Sequence, residues 1–309
     1  MPLYKVNRLL MGTLVQITVV GTDPNAKAAA QAVIDEIQRV ENLTSFHKPS
    51  ALTRINDHAG KGPIKANAEM LTLIQDSIRL SRETKGAFDP SLGPVSRLWN
   101  FSAGEPRLPA ASEIAQALTK VGLDRIEIDP AAGTIWLAEP GMALDLGGIA
   151  KGYVLDRARV VLEKFGVKGA LVNAGGDILA VGEKAPGKPW RVGVQDPRHG
   201  NAIVAVASVK DKVVVTSGDY ERFFMKNGKR YHHILDPRTG YPATGLRSVT
   251  IVASDGLTAD ALATGVFVLG PDEGLKLVES IPGVEALLID STGRVRLSSG
   301  AASIFELRP

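Results

Sequence analysis

The order of strand-like and helix-like segments limits the fold more than any other feature of this chain. Leu14 to Val20 is apolar and β-branched, the pattern of a buried strand. Asp23-Pro24 then offers an N-cap and a first-turn proline. The helix that follows places Ala30, Val33, Ile34, Ile37 and Val40 on one face. A second helix starts near Glu69 with Met70, Leu71, Ile74 and Ile78 inward, and Ser112 to Val121 reads as a short third. Arg125 to Ile128 and Thr134 to Leu137 form a hairpin about DPAAG. GIAKGYVLDRARVVLEKFG is a helix closed by Gly166, followed by a strand from Ala170 to Asn173 that runs into Gly175-Gly176. Further strands are expected at Trp190 to Val194, Ile203 to Val209, Val213 to Thr216 and Ser248 to Val252. Helices at Thr258 to Leu269 and Pro271 to Ser280 precede a final hairpin of Glu285 to Asp290 with Arg294 to Leu297. Hairpins mixed with helices, without steady βαβ alternation, predict an α+β fold of mixed or antiparallel sheets with packed helices. The 309 residues read as a single domain, with a weak subdomain boundary near 101–110.

Composition narrows the function classes. Hydrophobic residues make up 44% and charged residues 22%, enough for a core that needs no disulfide or structural metal. With no cysteine, thiolate metal sites, Fe–S clusters and cysteine nucleophiles are excluded. The net charge of +3 comes from 36 basic and 33 acidic residues with no basic block, so nucleic acid is not an expected partner. No stretch approaches the roughly 20 apolar residues of a membrane span. The start, MPLYKVNRLLMGTLVQITVV, does not read as a secretory signal, because Lys5, Asn7, Arg8, Gly12 and Gln16 break its apolar run. The protein is then cytoplasmic, or an export signal has been removed.

Five segments could carry chemistry. GAFDPSLGPVSRLWNF, from Gly86, is an ordered loop whose backbone and rings could line a flat heterocycle, or a packed surface loop. LDLGGIAKGY, Leu144 to Tyr153, sets Gly147, Gly148, a helix start and Lys151 together; it suits a phosphate or a plain strand–helix turn equally. It matches neither GxGxxG nor GxxxxGK[ST]. VNAGGDILAVG could turn tightly beside a ligand, or be a hairpin turn with Asp177 exposed. In HHILDPRTGYP, His233 precedes Ile234 in a rigid segment and ranks first among the five histidines as a proton acceptor. In TADALATG, Asp260 and Thr264 share a helical face and offer hard oxygens suited to Mg²⁺; the alternative is Asp260 at an exposed helix edge.

Taken jointly and in order, MGT (Met11 to Thr13), LTSFHKPSALTRIN, GAFDPSLGPVSRLW, LDLGGIAKGY, VNAGGD, TSGDYERFF, HHILDPRTGYP and TADALATGVFVLG resemble the ApbE family, from near the N-terminus to about Gly270. The resemblance implies an ApbE-like (T-fold-like) architecture with FAD in a cleft between subdomains. It implies an Mg²⁺-dependent FAD:protein FMN transferase, which joins FMN by a phosphoester to a threonine or serine of an acceptor and releases AMP. The acceptors would be flavin-carrying subunits of membrane redox complexes with a Ser/Thr-Gly-Ala-Thr motif, which this chain lacks. Carried over, Met11, Phe46, Ala87, Phe88, Asp89, Asp145, Lys151 and Ile234 would hold FAD. The Gly148 carbonyl, Asp260 and Thr264 would hold Mg²⁺, and His233 is the candidate base. Phe46 stands where many relatives have tyrosine, which keeps stacking and drops a phenolic hydrogen bond. Relatives imply a periplasmic location, with the cytoplasm as the alternative. Two other readings use the same residues: an FAD pyrophosphatase releasing FMN and AMP, and a non-catalytic flavin-binding protein.

Overall fold

A computed structural model describes residues 2–101, 104–200 and 202–308. Its first strands, β1 (Leu3–Leu10) and β2 (Thr13–Val20), turn back through Met11 and Gly12, whose φ angles are 55° and 68°. Left-handed backbone at both positions is what a type I′ two-residue hairpin turn requires. β1 lies at the edge of its sheet with Lys5, Asn7 and Arg8 exposed, which is why its apolar pattern is too broken to read as a strand. Next comes α1 (Pro24–Thr44), where Asp23 Oδ1 accepts from the Ala26 N–H at 2.9 Å. Ala30, Val33, Ile34, Ile37 and Val40 are buried, as their spacing predicts.

The chain continues through α2 (Ala51–Asp57), β3 (Ile64–Lys65), α3 (Ala68–Glu83), α4 (Gly93–Ser96) and α5 (Ala111–Leu118). The hairpin of β4 (Ile126–Asp129) and β5 (Thr134–Leu137) leads to α6 (Ala150–Lys164), after which Gly166 takes a φ of 67°. Strands follow: β6 (Gly169–Ala174), β7 (Asp177–Gly182), β8 (Trp190–Gln195), β9 (Ile203–Val209) and β10 (Lys212–Gly218). The small hairpin β11 (Phe223–Lys226) and β12 (Lys229–His232) precedes β13 (Leu246–Ala253). Helix α7 (Gly256–Glu279) bends at Gly270, whose φ of 82° ahead of Pro271 divides it into the two helices that the sequence suggests. β14 (Glu285–Asp290) and β15 (Val295–Leu297) pair as expected, and a further strand, β16 (Phe305–Leu307), lies beyond them.

The main sheet has eight strands in the order β1-β2-β6-β7-β10-β13-β14-β15, every neighbouring pair antiparallel. Helices α1, α6 and α7 cover one face and share its apolar core. The sheet β16-β9-β8 packs on part of the other face. A second core lies among α2, α3 and the sheet β3-β5-β4, and Tyr153 of α6 packs against both cores. The α+β architecture is the one that the element order predicts. Residues 102 and 103 of the expected subdomain boundary lie outside the described residues. Among those described, no helix is long and apolar enough to cross a membrane.

Candidate functional site

The site is built where α6 and α7 begin. Gly152 and Gly256 let the two helices approach so closely that a Cβ on either would collide with the other's backbone. Each helix then caps the other. Asp156 of α6 accepts from the Gly256 and Leu257 N–H groups at 2.7 and 2.9 Å. Asp260 of α7 accepts from the Gly152 N–H at 2.8 Å, where α6 has no cap of its own. This exchange satisfies free amides at both N-termini and sets Asp260 beside Lys151 in the first turn of α6.

Asp260 is buried, not at an exposed edge. Burial, and then the charge of Asp177, push its pKa above the ordinary carboxylate value, against the opposing pull of Lys151. Lys151 ion-pairs with Asp177, a residue that the sequence left equally compatible with an exposed turn. The structure corrects that option: Asp177 opens β7, is fully buried, and accepts from the Thr216 N–H at 3.0 Å. Gly175 and Gly176, both at positive φ, make the turn that delivers it. Burial alone would lower the Lys151 pKa, but the carboxylates of Asp177 and Asp260 overcome it and hold it raised. Glu221 also contributes to the field at Lys151. Asp177 and Glu221 are the site residues that sequence reasoning missed. The only signal for them was their place in VNAGGD and TSGDYERFF.

One turn along α7, Thr264 faces the Gly-Gly segment. A Cβ on Gly148 would stand 3.2 Å from Thr264 Oγ1 and 3.2 Å from the Phe88 ring, so glycine keeps this space open. Phe88 is held by its carbonyl, which accepts from Ser81 Oγ at 2.5 Å, and by its N–H to Thr84 Oγ1 at 3.2 Å. The segment after Gly86 is more regular than the ordered loop that the sequence suggests, with a 3₁₀ turn at Pro90–Leu92 leading into α4. Asp89 caps that turn through Ser91, with bonds of 2.7 Å to N–H and Oγ, and burial raises its pKa. Asp145 donates its N–H to the Pro90 carbonyl at 2.8 Å and accepts from the Gly147 N–H at 2.9 Å. Ala87, Phe88, Asp89, Asp145 and Gly148 therefore form one neighbourhood.

His233 follows β12, and its N–H donates to the Arg222 carbonyl at 3.1 Å. His233 is itself exposed to solvent. Desolvation by the neighbouring protein, then the positive charges of Arg222 and Lys151, lower its pKa. The imidazole is thus unprotonated near neutral pH, the state from which a general base acts, while the lowering also makes it a weaker proton acceptor. His232 is structural: it is buried, with Nε2 on the Ala243 carbonyl and Nδ1 accepting from the Ile234 N–H. Ile234 is buried, and its carbonyl accepts from the Ala243 N–H at 2.9 Å.

Met11 donates its N–H to Glu41 Oε2 at 3.1 Å, and Lys48 pairs with the same carboxylate at 2.6 Å. Phe46 lines a recess of about 660 Å³ with Lys48, Arg54 and Arg97, and the Arg97 guanidinium lies 5.4 Å from the Phe46 ring centre. An aromatic ring beside several cations suits a flat, anionic ligand. Among the described residues, no group of three or more His, Cys, Asp or Glu could hold a metal. The donors at the helix junction are instead a buried carboxylate, a hydroxyl and a backbone carbonyl. Such a set fits Mg²⁺, which binds through one or two carboxylates and completes its shell with substrate phosphates.

Comparison with known proteins gives one answer. A family model described as the ApbE family matches residues 11–288. A Treponema pallidum (strain Nichols) FAD:protein FMN transferase is 38% identical, over 96% of this chain and 87% of its own. One from Klebsiella pneumoniae (strain 342) is 33% identical, over 96% and 92%. The solved ApbE protein of Thermotoga maritima superposes with a TM-score of 0.91 at 37% identity, covering 100% of both chains. The flavin transferase ApbE of Vibrio cholerae superposes at 0.87 and 28% identity, covering 98% and 99%.

Proposed function

This chain belongs to the ApbE family, and on that premise we propose an Mg²⁺-dependent mechanism in which the junction of α6 and α7 cleaves FAD. The activity is FAD:protein FMN transfer, that of its curated relatives. The observation that carries the mechanism is the cluster of half-buried Lys151 with the buried carboxylates Asp177 and Asp260, beside Gly148 and Thr264. One cation among two buried carboxylates leaves negative charge uncompensated, which a bound divalent ion would relieve.

Asp260, Thr264 and the Gly148 carbonyl would hold Mg²⁺. The ion would offset charge gathering on the pyrophosphate oxygens. Lys151, steadied by Asp177, would point its ammonium at a phosphate, and the α6 N-terminus would add amide dipoles. Phe46 and Phe88 would bracket flat rings of the dinucleotide. Met11, Ala87, Asp89, Asp145 and Ile234 would complete the walls, Ile234 through the second lone pair of its carbonyl. The acceptor hydroxyl then attacks the FMN-side phosphorus while its proton passes to His233. The anhydride bond to AMP breaks, and AMP departs with the electron pair. Breaking a phosphoanhydride depends on alignment and charge neutralisation rather than covalent help, which is what this cluster offers.

The acceptor would be a flavin-carrying subunit of a membrane redox complex, modified at a Ser/Thr-Gly-Ala-Thr segment, and the reaction would be periplasmic. To test the reading, the protein is mixed with FAD and a soluble acceptor domain, with Mg²⁺ or chelator, and the acceptor's intact mass is recorded. A gain of one FMN with release of AMP, only with Mg²⁺, is the expected result. Free FMN and AMP with no mass gain would replace it with a pyrophosphatase. Intact FAD throughout would leave a flavin-binding protein.

A further inference from the structure

Exposed apolar side chains gather at one edge of the site. Of the six large hydrophobic residues exposed among the described residues, four sit on two hairpins: Leu9 (81%), Leu14 (46%), Phe223 (36%) and Met225 (55%). Leu9 and Leu14 face each other across β1 and β2. Phe223 and Met225 share one face of β11, and Phe223 pairs with His232. The opposite face, through Phe224 and Tyr231, packs into an aromatic cluster with Trp99, so the hairpin is anchored without Phe223 or Met225.

The two hairpins meet at Arg222, next to His233. A Cβ on Gly12, in the β1–β2 turn, would stand 3.9 Å from Arg222 Nη2. The Arg222 carbonyl in turn receives the His233 N–H. β1 carries Lys5 and Arg8, and the β11–β12 hairpin carries Lys226, Lys229 and Arg230. Neither contains an acidic residue. Among the described residues, none of these five cations forms an ion pair; Arg230 lies over the Phe223 ring at 3.8 Å and donates to the Asp219 carbonyl at 3.3 Å, and Lys229 lies 5.3 Å from the Tyr231 ring centre. Basic groups without a carboxylate partner around exposed apolar side chains are the marks of an interaction surface.

We propose that these two hairpins dock the protein that receives FMN, and that its docking segment is acidic with apolar side chains. The proposal rests on the transferase reading, since only a transferase must admit a protein hydroxyl to His233. An anionic lipid surface has matching chemistry, but seated here it would close the opening through which that hydroxyl enters.

The test uses the full chain, a soluble acceptor domain, and the variants Phe223→Ser with Met225→Ser and Lys226→Glu with Lys229→Glu. Each pair should raise the acceptor KM by about tenfold or more while FAD binding and kcat stay unchanged, since rim groups act on encounter and hold. Salt should raise the parent's KM and leave that of Lys226→Glu with Lys229→Glu nearly flat. An unchanged KM in both variants overturns the surface alone. Loss of binding to phosphatidylserine–phosphatidylcholine vesicles with an unchanged KM assigns it to a membrane and likewise overturns the proposal. A parent that transfers no FMN to the acceptor overturns the function and this surface together.

Discussion

Two charged clusters lie on α6, and they are built in opposite ways. On the outer side, Arg39 binds Glu69 twice at 2.7 Å and Glu36 at 2.8 and 2.9 Å, and Arg157 adds a 2.7 Å bond to Glu36. Two guanidinium groups meet two carboxylates, and Tyr153 donates to Glu69 at 2.5 Å. Hydrogen bonds from Arg39 are the main reason that the Glu36 pKa falls to about 2, burial opposing them. On the inner side, Lys151 alone faces Asp177 and Asp260, both buried, and burial drives Asp260 the other way. Balanced pairs with complete hydrogen bonding are what a structural network requires. The deficit of positive charge in the inner cluster costs stability, and a site that binds a cation and phosphates explains why it is kept.

The contrast can be broken in four ways. The largest effect is expected from His233→Ala, which should bind FAD and lose about 10²- to 10⁴-fold in transfer. Because the His233 pKa is lowered, kcat/KM for FAD should lack an acidic limb at 6.5, the ordinary histidine value. A limb there that vanishes in the variant would keep His233 as the base and overturn the lowered pKa, whereas transfer by the variant at the parent's rate would remove the base role. Next, Asp260→Asn should cost about 10²- to 10³-fold in Mg²⁺-dependent turnover. In chelator the same variant should be more stable than the parent. A raised carboxylate pKa means that the folded state binds the proton more tightly, so the parent loses stability as pH rises above 3.8. The melting advantage of the variant should therefore widen from pH 4 to pH 8. A constant difference would mean that Asp260 is not strained by its charge.

Asp177→Asn comes third. It keeps an acceptor for the Thr216 N–H and removes the partner of Lys151, so transfer should fall by about tenfold, with Asp177 acting as a positioning residue. Asp177→Glu should restore more of kcat than Asp177→Asn, whereas equal rates would make the role of Asp177 purely structural. The smallest effect belongs to the outer network. Arg39→Met should leave transfer unchanged and cost about 0.2–1 kcal/mol of stability, the range for exposed pairs. A depressed carboxylate pKa contributes stability above its ordinary value, 4.5 for Glu36, and loses it as pH falls through about 2. The difference between parent and variant should shrink over that window.

Much of the fold was legible because helices and strands repeat with different periods. The buried faces of α1 and α3, the Gly166 cap and the break at Gly270-Pro271 all follow from local pattern. β1 and β16 were not legible, since exposed strands with one polar side lose the apolar signal. β11 and β12 were hidden similarly, with only one face packed. In the site, the Asp260–Thr264 face, the Gly147-Gly148 turn and Lys151 in the first turn of α6 were readable from spacing.

The sequence by itself determined most of the longer elements and their buried faces and, through the joint order of its motifs, the family. Only the tertiary structure decided which charges meet. Asp177 could have pointed outward from a hairpin turn. It is turned inward because β7 pairs with β10 and its carboxylate takes the Thr216 N–H. Asp260 reaches Lys151 because Gly152 and Gly256 let two helix starts touch and cap each other across more than a hundred residues of chain. Local periodicity sets which face of an element is buried, but the partner of a buried charge depends on strand register and helix approach, which no local pattern carries.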